Sequence, residues 1–245
     1  MASVRFLGTG PARGRPGRGR SRRKESSIVV TSEDGAILID VTRDFAAQAR
    51  ALERVDLVLV THAHRDASGG VPQLERWLGA RPVPAVPLLA ARGTLAALRR
   101  RHVRLDHLAL RAIRSRATRI WRGWRISALA VPHALDCTTY AWRLDHRSGS
   151  LVYASDVARL TPELASFSAG SDLLVIDGAM WCRKIYTHLE IQSALPVLGR
   201  WPVRRVLFTQ LGRSTPPHGR LEAWLRARAP HVGAAYDGLE LELEP

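Results

Sequence analysis

Asp56-Leu57-Val58-Leu59-Val60-Thr61-His62-Ala63-His64-Arg65-Asp66 is the stretch that decides how this chain folds and what it can do. Residues 57–60 form a continuous apolar run, the mark of a strand buried on both faces. The run stops at a cluster of ionisable side chains, and Gly69-Gly70 follow. Alternate residues of an extended segment project to one side, so His62, His64 and Asp66 can converge. Neutral imidazole and carboxylate are ligands for Zn²⁺, Mn²⁺ or Fe²⁺. The bland alternative is a polar loop after a strand.

The same logic recurs along the chain. Ser127 to Val131 ends at Pro132-His133, Ser150 to Ala154 at Ser155-Asp156, Asp172 to Ile176 at Asp177-Gly178, and Arg205 to Thr209 at Gln210. In layered α/β folds, functional groups gather where strand ends share one edge. Taken alone, His133 reads as an ordinary hydrogen-bonded histidine and Asp156 as a helix N-cap. Ser26 to Val30 and Ala36 to Ile39 read as a hairpin. Helices are expected at 45–53, 71–78, 94–101, 188–198 and 221–228, and an edge strand at 239–243. Ile120 to Ala130 is strand-like and holds two tryptophans.

The chain has 245 residues, 46% of them hydrophobic, with 37 Lys+Arg against 22 Asp+Glu and a net charge of +15. That length and apolar content fit a packed globular domain and exclude a chain disordered throughout. No apolar run reaches the ~18 residues of a membrane span. The start lacks the order of a secretory signal, so a cytoplasmic location is expected. Only Lys24 and Lys184 are lysines, so 35 of the basic residues are arginine. Ala12 to Lys24 holds seven basic residues and no acidic one, and Arg92 to Arg125 holds eleven arginines against Asp106 alone. Together these surpluses exceed the net charge of the whole chain, so the positive charge is local. Local basic patches draw phosphate-bearing partners, although a solvated arginine surface explains them as well. The 12–24 segment reads as a loop too polar and flexible to pack. Cys137 and Cys182 cannot make a disulfide framework and read as buried thiols. Trp121 and Trp124 lie where they could stack on bases.

Taken in order, Phe6-Leu7-Gly8-Thr9-Gly10, Ser26-Ser27, Ile37-Leu38-Ile39-Asp40, Thr61-His62-Ala63-His64-Arg65-Asp66, Val131-Pro132-His133, Ser155-Asp156 and Tyr236-Asp237-Gly238 resemble the metallo-β-lactamase superfamily over almost the full length. The Leu-Gly-Thr-Gly start and the Ser-Ser strand look most like its phosphodiesterase branch, shared by the carbon–phosphorus lyase pathway phosphodiesterase and ribonuclease Z. The resemblance implies an α/β fold of the four-layer αββα type, here one domain over 1–245 with the Arg/Gly-rich loop at 12–24. It implies a first metal site of His62, His64, His133 and a shared Asp156. A second site would use Asp66 and Asp156 with two further histidines. Those two positions hold Ala67 and Gln210, which leaves Gln210 as a weak second-site ligand through its amide oxygen. Nor does the loop carry the zinc-binding cysteines of the carbon–phosphorus lyase enzyme.

The expectation is therefore one tightly bound divalent metal, Zn or Mn with Fe as an alternative, and a second site weak or empty. Asp66 and His188 are the candidate catalytic residues, Asp66 orienting or deprotonating a metal-bound water and His188 assisting the leaving group. The favoured function is a metal-dependent hydrolase, a phosphodiesterase on a small or nucleotide-like phosphodiester. The alternatives are a single-metal hydrolase of a lactone or thioester, and a non-catalytic metal- or nucleic-acid-binding relative. Expected partners are an anionic, phosphate-bearing substrate, with nucleic acid as an alternative, no membrane, and a homodimer left open.

Overall fold

A computed structural model describes residues 1–102, 104–183 and 185–244. Among them, fourteen strands form two seven-stranded sheets. The first runs β14 (Glu240–Leu243), β1 (Ala2–Gly8), β2 (Ser27–Ser32), β3 (Gly35–Ile39), β4 (Leu57–Leu59), β5 (Val86–Ala90) and β6 (Leu108–Ala112). The second runs β13 (Val232–Ala234), β12 (Arg205–Thr209), β11 (Leu173–Asp177), β10 (Gly149–Ala154), β9 (Thr139–His146), β8 (Trp124–Val131) and β7 (Thr118–Trp121). Strands β3 to β6 are parallel, as are β10 to β13, and the other neighbours are antiparallel.

The period of two in each strand divides its side chains between two cores. Ile37, Ile39, Leu57 and Leu59 face the second sheet, where they meet Trp124, Trp142, Tyr153 and Val175. Their neighbours Leu38, Val58 and Val60 turn the other way, onto helices α1 (Phe45–Gln48), α3 (Val71–Gly79) and α4 (Arg92–Arg101), while the short α2 (Arg65–Ser68) follows His64. In the second sheet Leu174, Ile176 and Phe208 pack with α5 (Pro162–Ser168), α6 (Ile191–Leu198) and α7 (His218–Arg226). This is why the strands read as unbroken apolar runs: both faces are covered. Each such side chain contributes about 1.5–3 kcal/mol by leaving water. The outcome is the expected αββα layering.

Parallel pairing brings the C-terminal ends of β3 and β4 to one edge, and likewise those of β10, β11 and β12. Strand β8 reaches the same edge because two antiparallel pairings separate it from β10. The edge is pinned across the sheets: Tyr140 N–H donates to Thr61 O at 2.9 Å, and Gln210 N–H donates to Ser26 Oγ at 3.0 Å.

Several expectations are corrected. The 120–130 stretch is two strands, β7 and β8, joined by a turn at Arg122-Gly123. Helix α6 begins at Ile191, so His188 lies in the loop before it. Trp124 is fully buried and stacks on His146 with ring centroids 4.6 Å apart, so it offers no face to a base. Val103, within the arginine-rich segment, lies outside the described residues.

The 12–24 loop is not free either. Arg23 is 3% exposed, and its guanidinium donates to Thr9 Oγ1 (2.6 Å), Ala235 O (2.5 Å) and His218 Nδ1 (3.3 Å). Burial lowers its pKa to about 10, which leaves it charged at neutral pH. One charged side chain thus ties the loop to the C-terminal segment. Arg23→Ala strands the Ala235 carbonyl and opens a void, and is expected to cost about 3 kcal/mol. Urea unfolding measures that loss, and trypsin should nick the 13–22 segment of the variant much faster than that of the wild type.

Candidate metal centre

His62, His64 and His133 each offer one ligand atom, all within 4.8 Å of one another, at the edge where the strands end. Their ring centroids are 4.7, 5.0 and 5.6 Å apart. His133, Asp156 and His188 form a second group of the same closeness. Asp66 Oδ1 lies 3.9 Å from His62 Nε2, and Asp156 Oδ1 lies 3.9 Å from His133 Nε2. The candidate residues spread over five strand ends or loops in the sequence therefore meet in one place.

Hydrogen bonds fix which nitrogen each ring presents. Asp40 ends β3 with φ of 64° and is buried. It accepts the Thr61 backbone N–H at 2.8 Å and the Thr61 hydroxyl at 3.0 Å. Burial pushes the Asp40 carboxyl well above its usual range; in its ionised form it accepts the Thr61 hydroxyl proton, and the hydroxyl then accepts from His62 Nδ1–H at 2.9 Å. His62 Nε2 is then a bare lone pair, buried and without a hydrogen-bond partner. Burial lowers the pKa of His62 to about 4, so the ring is neutral, the form a metal needs. His133 Nδ1–H donates to Thr187 O at 2.6 Å, which frees its Nε2. His64 Nε2 contacts Asp136 at 3.1 Å and Cys137 Sγ at 3.6 Å, so in its neutral form the ring presents Nδ1. The Cys137 contact, followed by Asp136, raises its pKa to about 9. Three nitrogen lone pairs and one carboxylate fit a tetrahedral divalent ion, and an orphaned buried nitrogen at their centre is the feature such an ion would satisfy.

The carboxylates differ by surroundings. Burial works against ionisation of Asp156, but the imidazoles of His62, His133 and His188 outweigh it and bring its pKa to about 2. It also accepts Ser155 Oγ–H (2.6 Å) and the Gln210 amide N–H (2.7 Å). Burial, then the charge of Asp156, raises Asp66 to about 6. Asp177 accepts from His188 Nδ1–H at 2.6 Å, Val157 N–H at 3.0 Å and Ala179 N–H at 2.8 Å. Burial disfavours the charged form of His188, yet Asp177, Asp156 and Asp66 outweigh it and raise its pKa to about 9.

At the second position, Ala67 is buried with only a methyl group to offer. Gln210 turns its amide nitrogen to Asp156, and Oε1 is buried with no partner. Gln210 has φ of 56°, a left-handed conformation held by Ser26. Gly70 lets the ligand loop close against 40–44: a Cβ there would sit 1.9 Å from Thr42 O. Arg101 donates to Ala63 O, between the two histidines, at 2.5 Å.

A cavity of about 340 Å³ opens over the cluster, lined by Arg43, His64, Asp66, His133 and His188 among others. A larger depression of about 620 Å³ lies along β13 and β14. Two of its arginines are paired with acids, Arg204 with Asp172 and Glu244 and Arg226 with Glu222, and the candidate metal-ligand groups lie elsewhere. The thiols are not buried as expected: Cys182 is exposed and Cys137 half-buried against His64. Sequence reading also assigned no role to Asp40, Asp136 or Arg43. An aspartate closing an apolar strand was the available signal for Asp40.

An αββα sandwich with clustered histidines and aspartates at one strand edge defines the metallo-β-lactamase architecture. The chain belongs to the beta-lactamase superfamily domain family, whose model matches residues 36–209. Most members of that superfamily are hydrolases. Its structure is similar to a diphosphatase of the PhnP family (TM-score 0.89, 23% identity, covering 100% of this chain and 98% of that one). It is also similar to Zn²⁺-bound PqqB from Methylobacterium extorquens (0.84, 21%, 98% and 100%) and to the short form of human tRNase Z (0.75, 16%, 99% and 100%). At these identities the likeness shows the fold. A protein of Porphyromonas gingivalis named octanoyltransferase is 24% identical over 229 residues, which is 89% of this chain and 44% of that protein's length. The chain thus spans less than half of that relative. Among the described residues, no helix is long and apolar enough to cross a membrane.

Asp40→Asn keeps a residue that tolerates the left-handed backbone and weakens the hold on Thr61 and His62. Zinc affinity, read by competition with a chromophoric chelator, should fall about 10–100-fold while the fold, read by circular dichroism, is retained.

Proposed function

We propose that this protein is a metal-dependent hydrolase of phosphodiesters, using one tightly held divalent ion. The observation that carries the reading is the unpartnered, buried Nε2 of His62 among the nitrogens of His64 and His133. The ligands would be His62, His64, His133 and Asp156, with Zn²⁺ or Mn²⁺ suiting the donors. Such an ion supplies Lewis acidity toward a phosphoryl oxygen and lowers the pKa of water toward about 7.

The chain's own residues do the rest. Asp66 faces the cavity and, without a second ion to ligate, orients the attacking water and takes its proton. His188, protonated and held by Asp177, gives a proton to the departing oxygen. Asp156, kept ionised by the neighbouring imidazoles of His62, His133 and His188, is oriented by Ser155 and Gln210. The arginine-rich loop reaches the cavity rim through Ala12, which supports an anionic substrate, nucleic acid included. A second reading, hydrolysis of an acyl ester or thioester, draws on Leu135 and Tyr186. Both are fully exposed and lie near His133 and His188 in sequence.

Turnover of bis(p-nitrophenyl) phosphate, a lactone and a thioester by the metal-loaded protein separates the two. Tight, steeply salt-dependent binding of single-stranded nucleic acid without turnover would favour a binding relative. His188→Gln should keep its metal and lose about 10²-fold or more on a phosphodiester with an alkyl leaving group. It should lose far less on the p-nitrophenyl ester, whose leaving group needs no proton. Metal analysis should give one tight ion per chain, and Ala67→His with Gln210→His should raise that number.

A further inference from the structure

A site with one divalent ion and several carboxylates meets an anionic substrate with a shortage of positive charge. Related two-metal sites clamp both the attacking and leaving oxygens with metal. Here the place of the second ion's ligands is taken by Ala67 and by a Gln210 already donating to Asp156. Asp66 and Asp156 remain, with the His188 imidazole grouped beside Asp156.

Arg43 stands on the same side. It lines the cavity with His64, Asp66, His133 and His188. Its stem crosses the end of the ligand loop: a Cβ on Gly69 would lie 2.8 Å from Arg43 Cγ. The guanidinium is held from behind by Glu25, which is 1% exposed. Glu25 Oε1 accepts from Arg43 Nε at 2.9 Å and from one terminal nitrogen, and Oε2 accepts from the Arg43 backbone N–H at 2.9 Å. Oε1 also accepts the Arg13 N–H at 2.7 Å, so the arginine-rich loop is tied to the same carboxylate. Among the described residues, Nη1 of Arg43 has no hydrogen-bond partner, and the side chain is 36% exposed. A guanidinium pinned along one edge, with its other edge open to a cavity, is preorganised for an anionic oxygen. Arg65 also borders the cavity but is exposed and has no such anchor.

We propose that Arg43, fixed by Glu25, binds an anionic oxygen of the substrate's phosphate group through the guanidinium nitrogen that Glu25 leaves free, a charged hydrogen bond in a site that lacks the ligands of a second metal. This rests on the phosphodiester reading above. It assigns to this chain a substrate contact absent from the metal-ligand pattern itself.

The test uses metal-loaded protein and two readouts. The first is inorganic phosphate affinity by isothermal titration calorimetry. The second is kcat and KM on bis(p-nitrophenyl) phosphate. Arg43→Gln, which can still donate to Glu25, should weaken phosphate binding about tenfold or more and raise KM, with metal content unchanged. Arg43→Lys should recover part of the loss. Arg50→Met, the removal of an exposed arginine outside the cavity, should leave phosphate binding within twofold. Should Arg43→Gln fold poorly, Glu25→Gln with Arg43→Met removes both charges and should show the same weakening. Phosphate affinity unchanged in the Arg43 variants, or absent in the wild type, overturns the proposal. Failure of the wild type to cleave any phosphodiester while Arg43→Gln still weakens phosphate binding would instead overturn the assigned reaction and keep the anion contact.

Discussion

Nε2 of His62, an imidazole nitrogen sealed from water with no protein partner, is the constraint on which the site is arranged. Leaving such a group unsatisfied in the interior costs about 1–3 kcal/mol. The molecule nevertheless fixes it there, through Asp40 and Thr61, with a tautomer that leaves its lone pair bare. His133 and Asp177-held His188 are fixed in the same manner from the second sheet. Two sheets that share little sequence proximity are thereby committed to one edge. The cross-sheet bonds from Tyr140 to Thr61 and from Gln210 to Ser26 hold that edge together.

The layering was legible because burial on both faces writes an unbroken apolar run, as in Leu57 to Val60. The polar residue that stops each run is legible too, since nothing in a two-sided core would tolerate it. Convergence of His62, His64, Asp66, His133, Asp156 and His188 follows once the strands are parallel. What stayed hidden depends on contacts far apart in the chain. Asp40 and Thr61 are 21 residues apart, and their hydrogen bond exists only because β3 pairs with β4. Asp136 meets His64 across 72 residues. The arginine-rich loop looked mobile because composition reports polarity, while Arg23 is buried by partners at Ala235 and His218. The 120–130 stretch carried a turn that its bulky residues masked.

Charge has two distinct uses in this molecule. Part of the arginine excess is structural: Arg23 clasps the C-terminal segment, and Arg101 holds the Ala63 carbonyl between His62 and His64. Another part faces the cavity, where Arg43 is braced by a buried glutamate. Others lie exposed on the surface, on the 12–24 loop as well as along the 92–125 segment. Net charge alone does not distinguish these uses. The partners of each guanidinium do, and the proposed anion contact at the cavity mouth rests on those of Arg43.

In the proposed one-ion centre, Gln210 donates a hydrogen bond to Asp156 instead of ligating a second ion. A crystal structure of zinc-loaded protein, with anomalous data at the zinc edge, tests it most directly. A one-ion centre gives a single strong peak within about 2.1 Å of His62 Nε2, with the Gln210 amide nitrogen still on Asp156. Two peaks bridged by Asp156 with Gln210 displaced, or no peak at His62, would contradict it.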